Sequence, residues 1–107
     1  MRFLVVTTNR DPVPPEMGLG LIRMMQAWVD EHTASGKMKE TWSFAGTIGG
    51  GGILEVDSHE ELDTIMGGFP FAQVSNIEVY PLADLRSALQ GAEARMEAAV
   101  QMMAVQR

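Results

Sequence analysis

Residues 53–68 read ILEVDSHEELDTIMGG, which passes directly from a strand pattern to a helix pattern. The stretch from Ile53 to Asp57 mixes apolar and acidic side chains in the alternating order of a half-buried strand. Ser58 and Glu61 have the spacing of a capping box, in which a serine hydroxyl accepts a backbone hydrogen bond at a helix start. The segment therefore predicts a strand followed by a helix that ends at Gly67-Gly68.

Strand patterns lie on both sides of this unit. Downstream, Phe69-Pro70 interrupts the chain, and Gln73 to Tyr80 alternate as a fourth strand that Pro81 closes. Upstream, Lys37 to Ala45 predict a second strand. The glycine run Gly49 to Gly52 stands between two strands and no Lys follows it, so a flexible hairpin turn or bulge is favoured over a phosphate-binding loop.

The N-terminal part of the chain adds one strand and one helix. Arg2 to Thr8 (RFLVVTT) is rich in β-branched residues and predicts the first strand. A helix should run from Pro15 to Ala34 and stop at Ser35-Gly36. The resulting order is β-α-β-β-α-β, which is a ferredoxin-like α+β arrangement. Because helices connect the strands, we expect strands one and three to be parallel neighbours with a right-handed crossover.

The two faces of the predicted sheet differ in polarity. The set that we expect to face the helices comprises Leu4, Val6, Leu54, Val56, Ile77 and Val79. The opposite set comprises Phe3, Val5, Thr7, Ile53, Glu55, Asn76, Glu78 and Tyr80. This second set is too apolar in strand one to face water and yet carries carboxylates in strands three and four, which predicts burial against another copy. We therefore expect a dimeric α+β barrel, as a homodimer or a higher even-numbered homo-oligomer.

A further helix pattern extends from about Leu82 to Val105. Its apolar positions alternate steps of four and three, which is a heptad seam: Leu85, Leu89, Ala92, Met96, Ala99 and Met103. The chain thus divides into a ferredoxin-like α+β domain over residues 1–81 and a C-terminal helix over residues 82–107. We expect the seam of this helix to serve oligomerisation.

Composition excludes several classes of partner. A chain of 107 residues holds one domain, and its net charge of −6 argues against binding to nucleic acid or to anionic membrane surfaces. Cysteine is absent, and the two histidines lie in separate elements, so we expect neither a disulfide nor a metal site. We see no signal peptide and no apolar stretch long enough to span a membrane, so the expected location is the cytoplasm.

Several short motifs of this chain occur together in one known family. They are Ser35-Gly36-Lys37, Trp42, Gly46, Ile53 to Ser58, Glu61-Leu62, Phe69-Pro70-Phe71 and Ile77-Glu78-Val79 with Pro81-Leu82. With the first strand and the Pro14 to Met17 helix start, this pattern resembles the muconolactone isomerase-like family over most of residues 1–82. The resemblance implies a ferredoxin-like subunit, assembly through the sheet and a small-molecule pocket. Ser43 and Gly49 to Gly52 stand where the isomerases carry polar residues, so no catalytic residue is carried over.

Three side chains are candidates for acid–base catalysis. His32 ends the apolar stripe of the first helix and has a side chain that titrates near neutral pH, although a helix-end histidine is also favoured by the helix dipole. Glu55 and Glu78 share a sheet face, where apolar surroundings would raise the pKa of a carboxyl group. The alternative for these two carboxylates is a hydrogen-bond network that fixes an interface.

Four aromatic residues are candidates for substrate binding: Trp28, Trp42, Phe44 and Tyr80. The competing interpretation is that they belong to the core. Our leading hypothesis is a small-molecule enzyme that moves a proton, by isomerisation or cyclisation, on a small and largely apolar substrate without metal or other cofactor. The alternatives are a non-catalytic ligand-binding or dimerisation module on the same fold and a cofactor-free monooxygenase.

Overall fold

A computed structural model describes residues 1–106, so Arg107, the last residue of the predicted C-terminal helix, lies outside the described residues. The elements are β1 (Arg2–Asn9), α1 (Pro15–Ala34), β2 (Met38–Ser43), β3 (Gly49–Glu55), α2 (His59–Gly67), β4 (Ser75–Leu82) and α3 (Leu85–Gln106). A short 3₁₀ turn over Ala72–Val74 precedes β4. The predicted β-α-β-β-α-β order with an added helix is confirmed.

The four strands form one antiparallel sheet in the order β2-β3-β1-β4. Strands β1 and β3 are neighbours as expected, but they run antiparallel, with Phe3 opposite Leu54, so the prediction of a parallel pair was wrong. The reason is that the two strands of each β-α-β unit are not neighbours in the sheet, because a strand of the other unit lies between them. Helix α1 connects β1 to β2 and leaves room for β3 between them, and α2 connects β3 to β4 across β1.

The assignment of sheet faces was wrong for β1 and holds for β3 and β4. Phe3 and Val5 are each 4% exposed and belong to the core under the helices, together with Leu54 and Val56. The register places Leu4 on the opposite face, beside Ile53 and Tyr80. Both sets of β1 side chains are apolar, so alternation alone does not say which set faces inward.

The glycine run is part of a strand rather than a turn. Strand β3 begins at Gly49, and the connection from β2 occupies residues 44–48, where Gly46 has a φ of +85°. A Cβ atom at Gly51 would lie 2.8 Å from the Val5 carbonyl oxygen, and one at Gly52 would lie 2.9 Å from the Glu40 carbonyl oxygen. The glycines therefore allow β1 and β2 to approach β3 more closely than side-chain-bearing residues would.

Helix α2 begins at the predicted cap. The Ser58 hydroxyl accepts a hydrogen bond of 3.0 Å from the Glu61 backbone N–H. The Glu61 carboxylate does not return to Ser58, because it binds the Lys37 ammonium at 2.8 Å. This contact raises the pKa of Lys37, with Asp57 adding to the effect. One half of the capping box is thus formed, and the other half is replaced by an ion pair between α2 and the residue before β2.

Helix α3 extends away from the remainder of the chain. None of its described residues is buried, and the long dimension of the molecule is 71 Å against 29 and 23 Å for the other two. The radius of gyration is 19.8 Å, whereas a compact chain of this length has about 13 Å. We call this helix, Leu85–Gln106, the C-terminal arm. Within residues 1–106, none of the helices combines the length and the apolar character that crossing a membrane requires.

Candidate functional site

A cavity of about 460 Å³ lies between the helix-facing side of the sheet and α1. It exists because α1 covers the sheet loosely: none of the residues of this helix is fully buried. The cavity is lined by Val5, Thr7, Asn9, Met25, Trp28, Val29, Met38, Thr41, Trp42, Ser43, Ile48, Gly49 to Gly52, Leu54, Met66, Phe69, Phe71 and Ser75. Its size is within the range typical of small-molecule sites.

Trp28 belongs to the helical wall and is held there by contacts with other elements. Its indole N–H donates a hydrogen bond of 3.1 Å to the Ile65 carbonyl oxygen, and its ring packs against Phe69 at a centroid distance of 5.5 Å. The bond to α2 fixes the orientation of the ring, so that the indole presents carbon atoms to the cavity. The structure thus places Trp28, a predicted substrate-binding residue, in the cavity wall.

The sheet wall combines apolar side chains with hydroxyl groups and bare backbone. Thr7, Thr41 and Ser43 line the cavity from β1 and β2, while the first part of β3 contributes glycines only. Trp42 also borders the cavity, but its indole lies across Gly51 on the sheet face that points away from α1, where a Cβ atom would be 2.9 Å from the ring nitrogen. The glycine strand therefore makes room for the Trp42 ring as well as for the neighbouring strands.

The lining has no formal charge. Among the residues that border the cavity in the described chain, none is ionisable, and the polar side chains are hydroxyls, one amide and two indoles. Residues 1–106 also contain no cluster of three histidine or acidic side chains placed to hold a metal ion. What the cavity offers chemically is a large apolar contact area and a few hydrogen bonds.

His32 lies one helical turn beyond Trp28, outside the cavity lining. The two rings meet edge to face at a centroid distance of 5.2 Å, and the imidazole is half-buried. The His32 carbonyl oxygen accepts from the Lys37 backbone N–H at 3.1 Å, and Gly36 donates to Thr33 at 3.1 Å with a φ of +80°. This double hydrogen bond is a Schellman motif, which ends α1 and fixes the position of His32.

The other two predicted acid–base residues lie on the opposite face of the sheet. Glu55 is 3.7 Å from Arg2 and 3.9 Å from Lys39. Glu78 accepts a hydrogen bond from the Tyr80 hydroxyl, and this bond raises the pKa of Tyr80. One protomer therefore does not bring either carboxylate together with His32 around the cavity. Their proposed catalytic roles stay predictions.

The remaining predicted substrate-binding residues, Phe44 and Tyr80, are also outside the cavity lining. Phe44 begins the turn after β2, where its backbone N–H donates to the Gly49 carbonyl oxygen at 3.0 Å. Sequence reasoning missed several residues that do line the cavity: Thr7, Met25, Thr41, Phe69 and Phe71. The family motif Phe69-Pro70-Phe71 contained a signal for two of them, but it was interpreted as a chain break.

Comparison with known proteins gives one consistent family. The family described as muconolactone delta-isomerase matches residues 1–88. Muconolactone Delta-isomerase of Rhodococcus opacus is 35% identical over 77 residues, which are 72% of this chain and 82% of that protein. The crystal structure of a muconolactone isomerase has a TM-score of 0.70 at 26% identity, covering 78% of this chain and 90% of that one.

A second solved structure has the same fold at lower identity. It is the 5-chloro-2-hydroxyhydroquinone dehydrochlorinase of Burkholderia phenoliruptrix AC1100 in complex with 2,5-dihydroxybenzoquinone. The TM-score is 0.63 at 17% identity, over 81% of this chain and 98% of that one. The family match ends at residue 88, so most of the C-terminal arm lies beyond it. From its first residue through the start of that arm, the chain belongs to the muconolactone delta-isomerase family.

Proposed function

We propose that this protein is a small-molecule enzyme that transfers a proton on a small, largely apolar organic substrate, by isomerisation or cyclisation and without a cofactor. Family membership supports an enzyme of this type. The observation that carries the proposal is the cavity of about 460 Å³ between α1 and the sheet, walled by Trp28 and Phe69 and edged by hydroxyls of β1 and β2.

The proposed proton carrier is His32. Its imidazole contacts Trp28, which forms the cavity wall, and histidine is the side chain that most often serves as a general acid or base. The Schellman motif holds the end of α1 in place, so the histidine has a defined position relative to the cavity. Glu55 and Glu78 would act on a bound molecule only from another protomer, because they lie on the far face of their own sheet.

The experiment follows deuterium incorporation by mass spectrometry when the full chain is incubated in D₂O with a panel of enolisable lactones and hydroxyquinones. A proton-transfer enzyme should exchange a carbon-bound hydrogen of at least one compound. Replacing His32→Ala should then slow the exchange by about 10²–10⁴-fold, as loss of a general acid or base commonly does.

His59→Ala is the matched control, since His59 lies on α2 against Phe3 and does not line the cavity. Its rate should equal that of the unaltered chain. Equal exchange by both variants would remove His32 from the mechanism, and absence of exchange with every compound would contradict the proposed chemistry.

A second candidate function is a non-catalytic ligand-binding module. It is favoured by the lack of an ionisable side chain among the described residues of the cavity lining, because proton transfer needs such a group within hydrogen-bond reach of the ligand. The two candidates differ in one observable. Both bind a small molecule in the cavity, but only the enzyme exchanges its protons with solvent.

We also propose that the protein assembles as a homodimer or a higher even-numbered homo-oligomer. Strand β4 is an edge strand whose Ile77, Val79 and Leu82 are each about two-fifths exposed. The C-terminal arm adds a row of apolar side chains that contact little of their own protomer. Monomeric proteins rarely leave apolar surface of this extent in water, so a second copy is the proposed cover.

A further inference from the structure

We infer that the cavity selects uncharged molecules and rejects carboxylates of the same shape. The inference rests on the proposed small-molecule site and adds the charge class of its ligand. A buried carboxylate must be paired with a cation or with several hydrogen-bond donors. Otherwise the free energy lost with its hydration far exceeds the free energy gained from apolar contact. The walls of the cavity determine whether either form of pairing is available.

A single protomer places no cation in the walls. The described lining residues include neither Arg, Lys nor His. Arg10 follows the lining residue Asn9, but its guanidinium is bound to Asp11 at 3.1 Å and to the Gln73 carbonyl oxygen at 2.7 Å. Lys37 precedes the lining residue Met38, and its ammonium is paired with Glu61.

Most of the neutral donors in the walls are already in use. The Trp28 indole N–H is bound to Ile65, the Asn9 amide donates to the Asp11 carbonyl oxygen at 3.1 Å, and the Thr7 hydroxyl donates to the Gly50 carbonyl oxygen at 3.3 Å. The glycine backbone of β3 pairs with β1 on one side and with β2 on the other. At the β2 side the Ser43 hydroxyl donates to the Gly49 carbonyl oxygen at 3.5 Å, and the Thr41 hydroxyl remains.

The charge of the whole chain acts in the same direction. The net charge is −6, which lowers the local concentration of anions. The cavity thus fits an aromatic or alicyclic molecule that carries one or two neutral oxygen groups facing Thr41 and Ser43.

The test compares cinnamamide with cinnamate, which have nearly the same shape and differ in charge at neutral pH. Isothermal titration calorimetry with the full chain should give a dissociation constant for cinnamamide at least about tenfold lower than that for cinnamate. Cinnamate binding as tightly as cinnamamide would overturn the inference while leaving the proposed small-molecule site intact. Binding of neither probe would contradict the proposed site and the inference together.

Two variants that each add one positive charge test whether the cavity itself excludes carboxylates. Ser43→Arg places a guanidinium at the cavity, whereas Ala45→Arg makes the same change in net charge on an exposed turn residue outside the lining. Ser43→Arg should raise cinnamate affinity about tenfold or more, and Ala45→Arg should leave it unchanged. Thr41→Lys provides a second cavity variant if Ser43→Arg does not fold. An equal gain in the cavity variant and in Ala45→Arg would show that net charge, not the cavity, excludes carboxylates, and would overturn the inference.

Discussion

At the scale of single residues, Asp84 determines where the C-terminal arm begins. Its carboxylate accepts hydrogen bonds from the Ser87 backbone N–H at 2.9 Å and from the Ser87 hydroxyl at 3.0 Å. These bonds hold the pKa of Asp84 below its usual value, the backbone bond contributing most. A carboxyl group with a lowered pKa stabilises the folded state above its unfolded pKa of about 3.9, and this contribution is lost as the pH falls through the folded pKa.

We therefore predict that Asp84→Ala lowers the helix content at neutral pH, because the first turn of α3 loses its cap. Asp84→Asn should keep the cap, and its side chain does not titrate. We expect the unaltered chain to lose helix content below about pH 4, and this variant to lose less. Far-ultraviolet circular dichroism across a pH titration measures both effects. Helix content in Asp84→Ala equal to that of the unaltered chain would contradict the capping role.

Ser58 and Glu61 show which contacts of single side chains the sequence could predict. The hydroxyl cap at Ser58 depends only on local spacing, and the sequence was sufficient to place it. The partner of the Glu61 carboxylate could not be predicted in this way, because Lys37 is distant in the sequence and lies beside Glu61 only in the tertiary structure. Local hydrogen bonds were therefore predictable where tertiary ion pairs were not.

At the scale of secondary-structure elements, the C-terminal arm is the feature that needs a partner. Its seam residues Leu89 and Met96 are 59% and 68% exposed within one protomer. If a second copy covers the seam, replacing both with Glu should lower the oligomeric mass in light scattering or make it depend on concentration. A double change Gln90→Glu and Gln101→Glu, outside the seam on the same helix, adds the same charge and should leave the mass unchanged.

Two results would contradict this account of the arm. A full-length chain with a mass near 11.7 kDa at micromolar concentration would exclude the proposed assembly altogether. An unchanged oligomeric mass in the seam variant would mean that the copies meet through the sheet without help from the arm.

Strands β1 and β3 show which properties of a secondary-structure element a sequence pattern does not determine. Alternation identified β1 as a strand, but Phe3 and Leu4 are both apolar and only the register with Leu54 decides which one is buried. The glycine run looked like a turn because glycine is depleted in strands. It is a strand because the carbonyl groups of β1 and β2 leave no space for a Cβ atom on that part of β3.

At the scale of the whole molecule, the proposed function depends on a cavity between elements that are distant in the sequence. The sequence was sufficient for the fold and the family. Of the four predicted binding residues, Trp28 and Trp42 border the cavity, and only the indole of Trp28 is on the cavity side of the sheet. The sequence was not sufficient for Thr7 and Thr41, since a hydroxyl in a strand gives no local sign of facing a cavity. The predicted residues Glu55 and Glu78 share a face, as expected, but that face is opposite to the cavity.

The central claim is that the cavity between α1 and the sheet is the ligand site. Trp28 lines it from α1, so two-dimensional NMR of the ¹⁵N-labelled full chain should show the indole N–H signal of Trp28 shifting as cinnamamide is added. The backbone amides of Glu55, Glu78 and Tyr80, on the opposite sheet face, should keep their positions. Shifts confined to those three residues, with the Trp28 indole signal unmoved, would contradict the account.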